Sequence, residues 1–218
     1  MSKTVAVLGG TGNEGPGLAL RWAKSGKHKV MVGSRQLEKG QRVARELNEK
    51  LGQDLILGTT NEEAAAAADL CVLTVPYSAH DATLTGLRQV LQGKVLVDVT
   101  VPLKPPKVSH VNVPAGGSAG QEAQALLGPG VRVVSAFQNV GVAHLAEGDN
   151  HIDCDVLVCG DDKEAKQDVI ALAEAAGMRG VDAGPLQNAV VAEGLTSVLI
   201  GINIRYKSKG AGIKITGI

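Results

Sequence analysis

Residues 8–17 read LGGTGNEGPG, five glycines in ten positions. They stand between a β-branched run, KTVAVLGG (strand 3–9), and a helical pattern, GPGLALRWAKSGK, that stops at Gly26. A strand that runs into a glycine turn and out into a helix commits the chain to a strand–helix unit, and a second strand, HKVMVGSR, closes that unit. The alternation then persists. LEKGQRVARELNEKLG is an amphipathic helix with Leu37, Val43 and Leu47 inward and Gly52 at its end, and DLILGTT is a third strand. NEEAAAAAD is a short alanine helix with Asn61 as its N-cap. DLCVLTVP, HDATLTGLRQVLQG and KVLVDVTVP follow as strand, helix and strand. The strands are unbroken apolar runs, which predicts a mostly parallel sheet covered by helices on both faces, a doubly wound α/β fold.

Residues 102–117 interrupt this rhythm with four prolines and read as an irregular loop. Ser118 and Gln121 form a capping-box pattern for the helix GQEAQALL. VRVVSAF, CDVLVCG and GVDAG are further strands, with a helix from Asp162 between the last two. The last helix starts near Pro185, with Leu186, Val190, Leu195, Val198, Leu199 and Ile202 predicted to form one apolar face. The tail GAGIKITGI alternates and predicts a final strand. Twenty-two Lys and Arg balance twenty-two Asp and Glu, so the chain lacks the basic excess of a nucleic-acid binder. Its longest late apolar run, GLTSVLIGINI, is shorter than a membrane span. Three cysteines without a Cys-x-x-Cys spacing fit a soluble, reduced, cytoplasmic protein.

Gly10, Gly12 and Gly15 match G-x-G-x-x-G in the context that gives the pattern meaning. Gly10 is expected to make the turn, Gly12 to let the backbone approach a pyrophosphate, and Gly15 to pack helix on strand. Unpaired N–H groups at the helix start would face the phosphates. NAD binders place an acid at the end of the second strand to hold the ribose hydroxyls, but residues 28–37 contain none. Ser34 and Arg35 stand there instead, with Lys39 one helical turn on, which selects a 2′-phosphate and hence NADP(H).

VLGGTGNEGPGLALRWA, VGSR, VLTVP, VVSAF, VCGDD and DAGPLQN occur in this order. Together they resemble the NADPH-dependent reductases of the deazaflavin coenzyme F420, over essentially the whole chain. The resemblance implies a Rossmann-type core over 1–145 and an extension, 146–218, that completes the deazaflavin site and offers a homodimer interface. It implies reversible hydride transfer between nicotinamide C4 and deazaflavin C5, with F420 as co-substrate. It places Thr11, Gly12, Asn13 and Glu14 at the pyrophosphate, and Ser34, Arg35 and Lys39 at the 2′-phosphate. Val75, Pro76, Tyr77 and Val101 would follow the NADP path, Val142 would lie by the nicotinamide, and Ala211 would touch the deazaflavin. Glu14 stands where relatives more often carry an aliphatic residue, and it is expected to point outward, leaving its N–H to bind phosphate. Gln138 replaces a His of some relatives. With Asn139 it is expected to hydrogen-bond the deazaflavin edge.

Such a reaction needs no catalytic acid, because the two cofactors carry the chemistry and the protein positions their rings. The small residues of AFQNVGVAH suit that slot. No Tyr-x-x-x-Lys or His–Asp pairing stands out: His80 and Asp81 are neighbours expected on a helix surface. His144, His151 and Cys154 match no zinc spacing, so no metal is expected. An NADP-dependent reductase of a small imine or ketone, and a non-catalytic NADP sensor, remain as alternatives.

Overall fold

The computed structural model describes residues 3–146 and 151–218. Among them, eight strands form one sheet in the order β3-β2-β1-β4-β5-β6-β7-β8. The strands are β1 (Lys3–Leu8), β2 (His28–Ser34), β3 (Ile56–Thr60), β4 (Leu70–Leu73), β5 (Val95–Asp98), β6 (Arg132–Ser135), β7 (Asp155–Gly160) and β8 (Arg179–Asp182). All pairings are parallel except β6 with β7. The helices are α1 (Gly15–Lys24), α2 (Leu37–Leu51), α3 (Asn61–Ala67), α4 (His80–Leu87), α5 (Ala119–Leu127), α6 (Val142–Ala146), α7 (Lys163–Ala175) and α8 (Ala189–Tyr206).

Side chains alternate across β1, so Val5 and Val7 enter one core and Ala6 and Leu8 the other. Leu18 and Trp22 of α1, Val43 and Leu47 of α2 and Leu172 of α7 fill the first core. Ala64 and Ala65 of α3, Leu84 of α4, Leu127 of α5 and Ala189 of α8 fill the second. The chain winds outward through β1, β2 and β3, then crosses back to place β4 on the other side of β1. Strand order reverses there, and the carboxyl ends of β1 and β4 open a crevice, the usual ligand position in such sheets.

Several local expectations are corrected. Thr60, not Asn61, caps α3, in a reciprocal capping box with Glu63. Leu37 is 38% exposed, because α2 first touches the sheet at Gly40, where a Cβ would sit 2.6 Å from the carbonyl oxygen of Thr59. The buried stripe of α2 is therefore Gly40, Val43, Ala44 and Leu47. On α8 the buried residues are Ala189, Ala192, Glu193, Ser197, Leu199 and Gly201, whereas Val198 is exposed. Of the expected apolar face, Leu186 and Leu199 are buried and Val190, Leu195 and Ile202 half-buried, and the inward face is completed by small and polar residues. By length and composition Leu186–Tyr206 qualifies as a span, yet α8 packs against α5 and buries Glu193, which accepts from the Ala119 and Gly120 N–H groups. The tail forms no strand. Its Ile213 carbonyl accepts from Asp155 N–H, but its Ile215 N–H donates to the Asp155 carboxylate, so a side chain interrupts the ladder.

Candidate functional site

The glycine loop is built by three different constraints. Gly9, rather than Gly10, makes the left-handed turn, with φ of 70°. Gly10 donates to the carbonyls of Val7 and Gly33, and a Cβ on it would sit 2.7 Å from the Val7 oxygen. A Cβ on Gly15 would lie 2.6 Å from Gly10 Cα, so this glycine lets α1 pack on the loop. Gly12 is exposed, and a Cβ there would approach no protein atom closer than 3.7 Å. Only Gly12 of the three motif glycines leaves its side open to a ligand. Asn61 holds the loop from outside, its Oδ1 accepting from Gly9 N–H at 2.9 Å.

Glu14 is the N-cap of α1, but its side chain caps nothing, so no side chain consumes the N–H groups of the first turn. Glu14 is half-buried, and loss of hydration pushes its carboxyl up to about 7.

A cavity of about 500 Å³ opens at the strand ends. It brings together Thr11 and Gly12, Ser34, Arg35 and Lys39, and Val75 and Pro76, as the sequence implied. It also includes Gly9, Gln36, Asn61, Thr74, Ala79 and Thr83. Of these, Asn61 carries a signal legible in sequence, a polar residue at a strand end, though the same position also reads as a helix cap. Ser34 is buried and its Oγ accepts from Gln36 N–H at 3.2 Å, which shapes the mouth. Arg35 and Lys39 are exposed, and neither has an ion-pair partner among the described residues. A second hollow of about 440 Å³ continues from Ser34 and Arg35 between Thr60, Asn61 and Glu62 on one side and Ala82, Thr83 and Gly86 on the other.

The remaining expected residues lie outside this cavity. Tyr77 donates its hydroxyl to Glu122 of α5 at 2.8 Å. Val101 is half-buried in the loop after β5. Val142 opens α6 and is 39% exposed. The neighbouring Gly141 packs beside Lys209 and Gly210, and His144 Nε2 lies 3.0 Å from the Gly210 carbonyl oxygen. Ala211 N–H donates to Asn203 Oδ1. The segments carrying Val142 and Ala211, sixty-nine positions apart (211 − 142), therefore meet.

Gln138 and Asn139 correct the expectation most sharply. Both are buried. Gln138 Nε2 donates to the Asp98 carbonyl and to Ser135 Oγ; Asn139 Nδ2 donates to the Ala192 carbonyl and Thr196 Oγ1. Their amide donors hold the loop after β6 to β5 and α8, because burial obliges these groups to find protein partners. The same loop contains Phe137 at φ of 75°, a strained conformation for a residue with a Cβ. Phe137 packs edge-on against Trp22 at 5.8 Å. Arg21, buried in α1, donates to the carbonyls of His144, Leu145 and Ala176. The helix that starts at the glycine loop thus also seats α6.

His80 is fully buried, not on a helix surface. Its Nε2 lies 2.7 Å from Asp98 Oδ2, a pairing hidden in sequence by eighteen intervening steps. The informative signal was Asp98 itself, an acid closing the apolar strand VLVD. Burial raises the thiol pKa of Cys71 to about 12 and of Cys159 to about 11, which leaves both protonated and poor nucleophiles.

Glycine loop, cavity and strand-order reversal coincide at one point, and together they define a Rossmann-type dinucleotide-binding protein. The chain is 43% identical to the F420-dependent NADP reductase of Methanocaldococcus jannaschii over 98% of both chains. It is 40% identical to that of Methanothermobacter thermautotrophicus over 100% of this chain and 97% of the relative. It belongs to the family of F420-dependent NADP reductases. The family model for NADP oxidoreductase, coenzyme F420-dependent, matches residues 4–102. The crystal structure of a putative F420-dependent NADP reductase from Arthrobacter sp. FB24 is 27% identical, with a TM-score of 0.82 covering 99% of this chain and all of that one.

Proposed function

We propose that this chain catalyses reversible hydride transfer between nicotinamide C4 of NADP(H) and C5 of the deazaflavin coenzyme F420, a proton from solvent balancing the reduction. When bound, the two cofactors supply the hydride chemistry themselves, and the chain's task is to hold, align and shield them. The observation that carries the NADP assignment is the cavity mouth: buried Ser34 flanked by Arg35 and Lys39, two cations without ion-pair partners among the described residues. Such a mouth fits the 2′-phosphate, which Arg35 would grip with its planar fork. The N–H groups of Thr11, Gly12 and Asn13 would meet the pyrophosphate. Thr74 to Pro76 would guide the nicotinamide half, with Tyr77 and Val101 behind it.

On this reading the core, 1–145, binds NADP(H), and the extension, 146–218, closes the deazaflavin side through Ala211 opposite Val142. Small residues at Gly141, Val142, Gly210 and Ala211 leave room for two stacked flat rings. The exposed apolar side chains of Val191, Val198 and Ile204 on α8, with Val111 beside Gly194 of the same helix, suit burial against a second copy. Three buried free cysteines suit the reducing cytoplasm. Mixing NADPH, F420 and the protein is expected to bleach the oxidised deazaflavin's visible absorbance. Unchanged absorbance with both cofactors intact and saturating would overturn the activity, and a monomeric mass by light scattering would overturn the dimer.

A further inference from the structure

The hydride step leaves one buried charge cluster without a role. His80 is the first residue of α4 and Asp98 the last of β5, and both are fully buried. His80 Nε2 lies 2.7 Å from Asp98 Oδ2, and Nδ1 lies 3.2 Å from Asp81 Oδ1. Ionised carboxylates only accept hydrogen bonds, so the ring satisfies both by donating from both nitrogens, as an imidazolium. Burial opposes that charge, but Asp98 and then Asp81 outweigh it and push the ring up to about 9. The charged and titratable groups around the ring come from every neighbouring element. They are Asp81 on α4, Asp98 on β5, Glu193 on α8, and Tyr77 on the turn before α4, whose ring centroid is 6.1 Å away.

The address of this pair indicates its role. Thr74, Val75, Pro76 and Ala79, just before His80, line the dinucleotide cavity, and so does Thr83 one turn later. Asp98 also accepts from Thr100 N–H at 3.0 Å, and Thr100 Oγ1 reaches the Val75 carbonyl. The cavity wall is therefore tied to the sheet at His80 and, through Asp98 and Thr100, at Val75. We infer that His80 is a positioning residue for the dinucleotide, its doubly hydrogen-bonded ring fastening the wall 74–79 to the end of β5. The inference rests on the reading that this cavity takes NADP(H). A neutral imidazole carries one N–H, so deprotonation drops one of the two contacts and leaves Asp98 without its buried counter-charge. The wall then loosens and the dinucleotide is held less tightly.

The test measures NADPH affinity by the fluorescence of the bound nicotinamide from pH 7 to 10, with ¹⁵N spectra of the histidine rings recorded in parallel. The wild-type protein should lose about tenfold in affinity with a midpoint near 9, together with the His80 titration. Asp81→Asn removes only the exposed carboxylate and should move both midpoints to lower pH. His80→Gln should bind more weakly at neutral pH and show a flat profile. If His80→Gln does not fold, the shift in Asp81→Asn decides. An affinity that ignores the titration of the ring, or a ring that is neutral at pH 7, overturns the inference alone. Absence of NADPH binding at every pH overturns the functional reading and the inference together.

Discussion

Asn61 Oδ1 accepts the backbone N–H of Gly9 at 2.9 Å, so the first residue of α3 holds the turn glycine of a loop fifty-two positions earlier. Asn61 also lines the cavity. Asn61→Ala leaves the Gly9 N–H without that acceptor and should weaken NADPH binding by about tenfold, the cost of one buried hydrogen bond. Asn61→Asp keeps an acceptor but sets an anion in the cavity proposed to take the phosphates, and it should bind more weakly still. Calorimetric titration with NADPH measures both.

Arg35 and Lys39 discriminate between the two nicotinamide dinucleotides only if they touch the 2′-phosphate. Arg35→Ala should weaken NADPH by about a hundredfold, within the range of a charge-assisted bidentate contact, and leave NADH nearly unchanged. Equal losses for both cofactors, read from their KM values, would remove Arg35 from the phosphate site.

The motif glycines separate into positions packed against protein, Gly10 and Gly15, and one open to the cavity, Gly12. Gly15→Ala places a Cβ 2.6 Å from Gly10 Cα, against backbone that cannot move aside, and should cost about 1–3 kcal/mol of stability in denaturant unfolding. Gly12→Ala meets no protein atom within 3.7 Å, so its unfolding midpoint should stay while NADPH affinity falls. A large stability loss at Gly12 would show that this glycine serves the fold and not the ligand.

Glu14 makes stability depend on pH with an unusual sign for a carboxylate. Its carboxyl titrates near 4.5 when unfolded and at about 7 when folded, so the native state binds the extra proton between these values. Stability is therefore lost as pH rises through that window. Glu14→Gln should raise the melting temperature at pH 8 by about 2–4 °C, the shift of roughly 1 kcal/mol in a chain of this size, since partial exposure screens the charge. At pH 4 the variant and the wild type should melt together.

The tail is seated by His144, and a Cβ on Gly210 would sit 2.0 Å from its Nε2. Gly210→Ala must displace the His144 ring and so break its hydrogen bond to the Gly210 carbonyl, which frees the segment that carries Ala211. Its effect should fall on the KM for F420, rising about tenfold, while the KM for NADPH stays within a factor of about two. The reverse pattern in steady-state kinetics would take the tail away from the deazaflavin.

The sequence by itself determined the strand–helix alternation, the doubly wound α/β class, the glycine loop, and Ser34, Arg35 and Lys39 as one cluster. These depend on near neighbours along the chain: apolar period, turn chemistry, and the residue at a strand's end. What only the tertiary structure decided depends on partners from distant elements. Asn61 reads as a cap until Gly9 is placed beside it. His80 reads as a surface residue until β5 brings Asp98 to its ring. Gln138 and Asn139 read as ligand donors until β5 and α8 take their amides. Apolar periodicity finds Leu199 on the inward face of α8, but not Ala192, Glu193, Ser197 and Gly201, which are buried beside it. Periodicity tells which side chains seek burial, whereas the partner of a buried polar group is set by whichever element packs against it, and that is known only when the fold has closed.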